Sequence, residues 1–258
     1  MKQLPAITLM ALSMVASAAA QSAIRPPQLG FAGAADGTLR PVYGVAGNFI
    51  LGPAITGKAV AGKVISQAFS GSLGLLKTDS TLSAFNGQGK VLASIDAAAG
   101  PALFAFSLDG VTALAYVESS NILVEWRAGQ LVTMPFHAEL GTVLAVALPN
   151  AFEASLIVQR DDGIWEVRSG SQRALVGVTA PVLALASGEL VFSDAKGIVL
   201  RSPNGTEVHI AARLPAKFSL QQMDSQWVQL SDLATPRRFA IRVLAGREGY
   251  YQLPEAAQ

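Results

Sequence analysis

Val143-Leu144-Ala145-Val146-Ala147-Leu148 and Gly163-Ile164-Trp165-Glu166-Val167-Arg168 decide the architecture when read together. The first stretch is apolar on both faces, as a strand sandwiched between two other layers must be. The second alternates apolar and polar residues, the period-2 pattern of a strand with one wet face. Between them lie Ala154 to Gln159 and the turn Asp161-Asp162-Gly163, and beyond them Arg173 to Val178. Residues 143–178 therefore form a unit of four short strand-like pieces joined by tight turns.

The unit recurs along the chain. Apolar segments open at Val64, Leu103, Val143, Val182 and Lys217, spaced 39, 40, 39 and 35 residues apart, and each starts a run of four pieces of about five or six residues. Residues 64–95 break into Val64 to Phe69, Leu73 to Thr78, Thr81 to Asn86 and Lys90 to Ile95. The next unit gives Leu103 to Leu108, Thr112 to Val117, Ile122 to Arg127 and Gln130 to Pro135. The fourth runs Val182 to Ser187, Glu189 to Ser193, Gly197 to Ser202 and Glu207 to Ala211, and the fifth Lys217 to Gln222, Gln226 to Ser231, Arg237 to Arg242 and Gly249 to Leu253. Asn86-Gly87, Asp109-Gly110 and Asn204-Gly205 supply the positive φ that tight hairpins need. A period near 40 with four strands per unit is that of an all-β protein, a β-propeller of four-stranded antiparallel blades. Residues 29–61 hold one hairpin around Asp36-Gly37 and a further strand, Asn48 to Ile55. An open ring of five blades would leave sheet edges unpaired, so this segment is expected to complete a sixth blade, with five or seven as the alternatives.

Residues 1–20 read as a signal peptide: Lys2 ahead of a mostly apolar stretch from Leu4 to Val15, then Ala18-Ala19-Ala20 before Gln21. The apolar run is short for a membrane span. Residues 21–28, with Arg25-Pro26-Pro27, read as a flexible lead-in, and 29–258 as a single propeller domain. Cleavage after Ala20 leaves 238 residues with 18 basic and 18 acidic side chains, so no net field draws nucleic acid or an anionic membrane. The chain has no cysteine, which rules out a lipid-modified N-terminal Cys and suits a bacterial periplasmic or extracellular address. No stable membrane insertion is expected after cleavage, and a monomer is expected.

Asp79, Glu118, Asp161 with Asp162, Asp194 and Asp232 each follow the second strand of their unit, so a propeller sets them around one rim. A ring of carboxylates could hold a hard cation such as calcium. Asp beside a hairpin turn also caps its own backbone, and the repeat would multiply that habit, so the expectation is local caps and no metal. His137 and His209 are too few for a zinc site without carboxylates, and no Gly-x-Ser-x-Gly elbow accompanies them. Gly57-Lys58-Ala59-Val60-Ala61-Gly62-Lys63 approaches a phosphate loop but has Val64 where magnesium needs Ser or Thr. Trp126, Trp165 and Trp227 could stack on a ligand if exposed; packing between blades is expected. No catalytic residue and no cofactor is assigned.

The pieces Val191 to Leu200 and Leu156 to Val167 resemble the generic blade hairpin of secreted bacterial propellers in the broad quinoprotein-like, NHL-like and WD40-like group. Gly37-Thr38-Leu39-Arg40-Pro41-Val42-Tyr43-Gly44-Val45-Ala46-Gly47 is similar to a segment near the start of uncharacterised exported bacterial propellers. The resemblance implies a fold, and fold does not imply function. The expected role is an exported, non-catalytic binding or scaffold protein whose protein or small-molecule partner meets a loop face. The alternatives are a propeller enzyme, lactonase-like or a lyase, with a cation in the central channel, and a periplasmic docking platform for envelope assembly.

Overall fold

The structure, a computed structural model, describes residues 26–34, 36–55, 62–135, 141–150, 153–169 and 171–255. The N-terminal sheet holds β1 (Gln28–Gly33), β2 (Leu39–Val45) and β3 (Asn48–Leu51). Five four-stranded antiparallel sheets follow. They comprise β4 (Ser66–Ser70) to β7 (Val91–Asp96) by way of β5 (Leu73–Lys77) and β6 (Thr81–Asn86), then β8 (Ala102–Phe106), β9 (Ala113–Val117), β10 (Ile122–Arg127) and β11 (Gln130–Pro135). Next come β12 (Thr142–Asn150), β13 (Glu153–Arg160), β14 (Gly163–Arg168) and β15 (Ser171–Ala174). The last two are β16 (Leu183–Ala184), β17 (Leu190–Asp194), β18 (Gly197–Arg201) and β19 (Glu207–Ala211), then β20 (Phe218–Asp224), β21 (Trp227–Asp232), β22 (Arg238–Arg242) and β23 (Gly249–Gln252). Within each sheet the strands pair in chain order, as a meander.

Six apolar clusters close these sheets into a ring, one at each junction between neighbours. Leu75 and Ala84 meet Phe104 and Phe106. Leu114 and Tyr116 meet Val146 and Val158. Ala145 and Ile157 meet Ala184 and Phe192. Val191 and Ile198 meet Val228 and Ile241. The last two clusters bind the N-terminal sheet on both sides: Val42 and Phe49 pack on Met223 and Trp227, while Phe31 and Leu39 pack on Phe69 and Phe85. Successive residues of one strand serve opposite junctions, Ala145 and Ala147 one and Val146 and Leu148 the other. That is why the inner strands are apolar on both faces, while β15, wholly exposed, is polar. The expected six blades are present, the N-terminal one with three strands among the described residues. Gln28, placed by the sequence in the lead-in, is the first residue of β1.

The N-terminal blade departs from the others at the centre of the ring. The inner strands β4, β8, β12, β16 and β20 adjoin one another in order, and β20 lies directly against β4, with β1 wedged behind their contact. That approach requires Gly30, at φ +128°, because a Cβ there would stand 1.9 Å from the Met223 carbonyl oxygen. The inner edge of β1 is sealed by side chains in place of a strand. Gln67 Nε2 donates to the Phe31 carbonyl and Gln229 Nε2 to the Gly33 carbonyl, each at 3.5 Å.

Candidate functional site

The five inner strands enclose a central cavity of about 330 Å³. Its wall is built from the first halves of those strands and the residues just before them: Ile65 to Ala68, Pro101 to Phe104, Leu144 to Val146, Pro181 to Leu183 and Phe218 to Gln222, with Leu233 at the rim. Exposure falls with depth. Pro101 and Leu233 are exposed and Ile65, Pro181 and Phe218 half-buried, whereas Ala68, Phe104, Val146, Leu183 and Gln222 are buried. The cavity therefore opens at the face where the inner strands begin.

None of its lining residues is ionisable. The wall offers no general base, no nucleophilic thiol or amine and no carboxylate; it offers hydrocarbon, the serines Ser66 and Ser219 and the glutamines Gln221 and Gln222, while the Gln67 amide turns to Phe31 and Gly33 of β1. Ser66 Oγ accepts the Ala102 N–H at 3.0 Å across a blade junction. The Gln222 amide, on a residue 2% exposed, has neither its nitrogen nor its oxygen in a hydrogen bond, and Gln67 Oε1 and Gln229 Oε1 are likewise buried without a partner. A buried polar group left unpaired costs about 1–3 kcal/mol, and folded proteins leave few of them.

The acidic residues singled out from the repeat stand on the same face, farther from the axis, because the second strand of each blade ends where the first begins. Asp162, Asp194 and Asp232 make local hydrogen bonds beside their own turns. Asp194 Oδ1 accepts the Lys196 and Gly197 N–H groups at 2.8 and 3.0 Å, and its other oxygen faces His209 Nδ1 at 3.2 Å. Asp232 accepts the Ala234 N–H and the Thr235 hydroxyl and pairs with Arg237. The Thr235 and Ala234 hydrogen bonds hold the Asp232 carboxyl below its ordinary pKa, and those from Lys196 and Gly197 do the same for Asp194. Asp162 accepts the Trp165 indole N–H at 2.8 Å beside exposed Asp161. Glu118 opens a single turn of 3-10 helix, Glu118–Ser120. Asp79 is exposed next to the buried Lys77, whose pKa burial lowers and the charge of Asp79 raises. Among the described residues no three His, Asp or Glu side chains gather as metal ligands would.

His209 sits on β19 between Asp194 and Glu207, nearly half exposed. His137 and Gly57 to Ala61 of the glycine-lysine segment lie outside the described residues. Trp126 and Trp227 are buried at blade junctions, and the half-buried Trp165 carries Arg160 over its ring at 5.4 Å. The channel glutamines were not singled out from the sequence, although a signal was there: Ser66-Gln67 and Gln221-Gln222 interrupt inner strands that elsewhere read Leu103-Phe104 or Val182-Leu183.

No family model matches the sequence, and no curated protein matches it. Solved structures do match in shape. A chain of a nidogen/laminin complex is 12% identical, with a TM-score of 0.56 over 89% of this chain and 99% of that one. TolB from Acinetobacter baumannii is 13% identical, with a TM-score of 0.51 over 98% of this chain and 74% of that one. PorZ, a bacterial surface component of the type-IX secretion system of Porphyromonas gingivalis, is 12% identical, with a TM-score of 0.50; the match covers 91% of this chain and 38% of PorZ. The chain is a six-bladed β-propeller. At these identities the propellers share a fold, and the residues at the centre of this one have to be read on their own chemistry. Among the described residues no helix is long and apolar enough to cross a membrane.

Proposed function

We propose that the chain is an exported, non-catalytic binding protein that receives an uncharged small molecule in the central channel of its propeller. One observation carries the reading: a cavity of about 330 Å³ opens to one face, and its lining contains no ionisable side chain. Concave, mostly apolar sites with a few polar groups are what small-molecule recognition uses. This reading puts the ligand at the axis of the ring, where the sequence reading expected a loop face. The lactonase-like or lyase alternative needs a cation in the channel, and the wall supplies no carboxylate or imidazole to ligate one.

Export rests on the sequence of residues 1–20, and mass spectrometry of secreted material is expected to find a mature N-terminus at Gln21. Binding is tested by titrating benzene into methyl-labelled protein. Ring-current shifts that saturate at Leu103, Leu144, Val146 and Leu183 are the expected result. Shifts that never saturate, or that spread over the blade surfaces, would contradict the reading.

A further inference from the structure

The channel has two different walls. Every hydrogen-bonding side chain that lines it stands on β4 or β20: Ser66 and Gln67 on the first, Ser219, Gln221 and Gln222 on the second. These strands are neighbours in the ring because the N-terminal blade sends no strand between them, so the five residues share one side. The opposite side, from β8, β12, β16 and the residues that lead into them, presents proline, alanine, leucine, valine and phenylalanine alone.

Some of the polar groups are already committed. Ser66 holds the Ala102 N–H, and the Gln67 nitrogen holds the Phe31 carbonyl. The Gln67 amide, its oxygen included, lies against Gly33 of β1, so what remains open and buried along the lining is both ends of the Gln222 amide. A carbonyl of the ligand would satisfy the Gln222 nitrogen, and an N–H of the ligand would satisfy the Gln222 oxygen. A primary amide presents those two groups side by side, whereas a trans secondary amide points them apart. A carboxylate would be stripped of water with no cation on the wall to answer it, and an ammonium would lack a counter-ion.

We propose that the channel selects uncharged amides: a carboxamide head pairs with Gln222 on the β4 and β20 wall, and a hydrocarbon body lies against β8, β12 and β16. This deepens the channel-binding reading and rests on it. Gln222 is then kept for recognition at the expense of the unliganded fold, a trade common at binding sites.

Benzamide, benzene and benzoate share one body and differ in the head, so they separate the two claims. Protein-observed NMR on the full mature chain is expected to show benzamide saturating the channel with the Gln222 side-chain amide signals shifted, about tenfold tighter than benzene, while benzoate leaves the spectrum unchanged. Gln222→Met keeps the length of the side chain without donor or acceptor; it is expected to lose that tenfold preference and to bind benzene as before. The wild-type comparison does not depend on this variant folding. If benzene saturates the channel and benzamide gains nothing over it, the amide assignment fails while channel binding stands, and ordered water is what completes the glutamines. If neither benzene nor benzamide saturates the channel, both readings fall.

Discussion

The backbone N–H of Gly71 donates to Asp224 Oδ1 at 3.2 Å, tying together two blades whose residues here are 153 apart in sequence. The bond joins the β4–β5 turn to the β20–β21 turn, beside the contact by which β20 and β4 close the inner ring. Burial raises the pKa of the Asp224 carboxyl, against the pull of the Ser225 and Gly71 N–H groups. A carboxyl whose pKa is higher in the folded state than in the unfolded one favours folding when protonated. Its contribution is complete below the ordinary value of 3.8 and is lost as pH rises through the raised pKa. Asp224→Asn still accepts the Gly71 N–H and never ionises. In urea titrations the variant is therefore expected to be more stable than the wild type at pH 7, with the difference fading below pH 3.8. A variant less stable at pH 7 would show that the charge itself holds the closure together.

Glu166 has the opposite sign. Burial pushes its pKa up, but hydrogen bonds from Arg168, Ser155 and Arg173 outweigh that and hold it below 4.5. Its oxygens meet Arg168 at 2.6 Å, the Ser155 hydroxyl at 2.9 Å and Arg173 at 2.6 Å, and its side chain is 10% exposed. The stability it contributes is present above pH 4.5 and is lost as pH falls through the lowered pKa. Because the two arginines are 38% and 60% exposed, solvent screens the charge and Glu166→Gln should cost about 1–2 kcal/mol at pH 7, less at pH 3. Equal losses at both pH values would show that the network acts by packing rather than by charge.

Phe31 joins the N-terminal sheet to the second blade. Its ring is 2% exposed and meets Phe69 at 4.8 Å and Phe85 at 5.2 Å, both edge-on. Phe31→Ala removes both edge-on contacts from a junction whose remaining aromatic pair, Phe69 stacked on Phe85 at 5.9 Å, lies within the second blade alone, and should lower stability by about 3–5 kcal/mol. Thermal melting that shifts by less than a degree would mean that the sheet lies loosely on the ring.

Much of the fold was legible because hairpin chemistry is local. The expected strands Thr81–Asn86, Ile122–Arg127, Gln130–Pro135, Gly163–Arg168 and Glu207–Ala211 match β6, β10, β11, β14 and β19 residue for residue. Arg173 to Val178 was expected as one strand, but β15 ends at Ala174. Leu175 and Val178 then turn inward, joined by the Val178 N–H to Leu175 carbonyl bond, to fill the junction with the next blade. Val182 to Ser187 shrinks to the two residues of β16 for lack of ladder partners beyond Ala184. The candidate site was less legible. Polar residues in inner strands are visible in the chain, yet only the contact of β4 with β20, from opposite ends of the sequence, puts them on one wall. Nothing local announces that the N-terminal blade stays out of the channel.

Removal of the N-terminal sheet probes that closure directly. A chain starting at Val64 keeps the Gly71–Asp224 bond but uncovers Phe69 and Phe85 on one side and Met223 and Trp227 on the other. Apolar surface released at about 25 cal/mol per Å² and two newly bare blade faces should make it aggregate, or melt far below the full-length protein. Sedimentation of the truncated chain beside the intact one, with thermal melting of both, decides the matter. A truncated chain that stays monomeric, keeps its β-type circular dichroism and unfolds cooperatively at the same temperature would show that five blades close by themselves and that the sixth is an accessory.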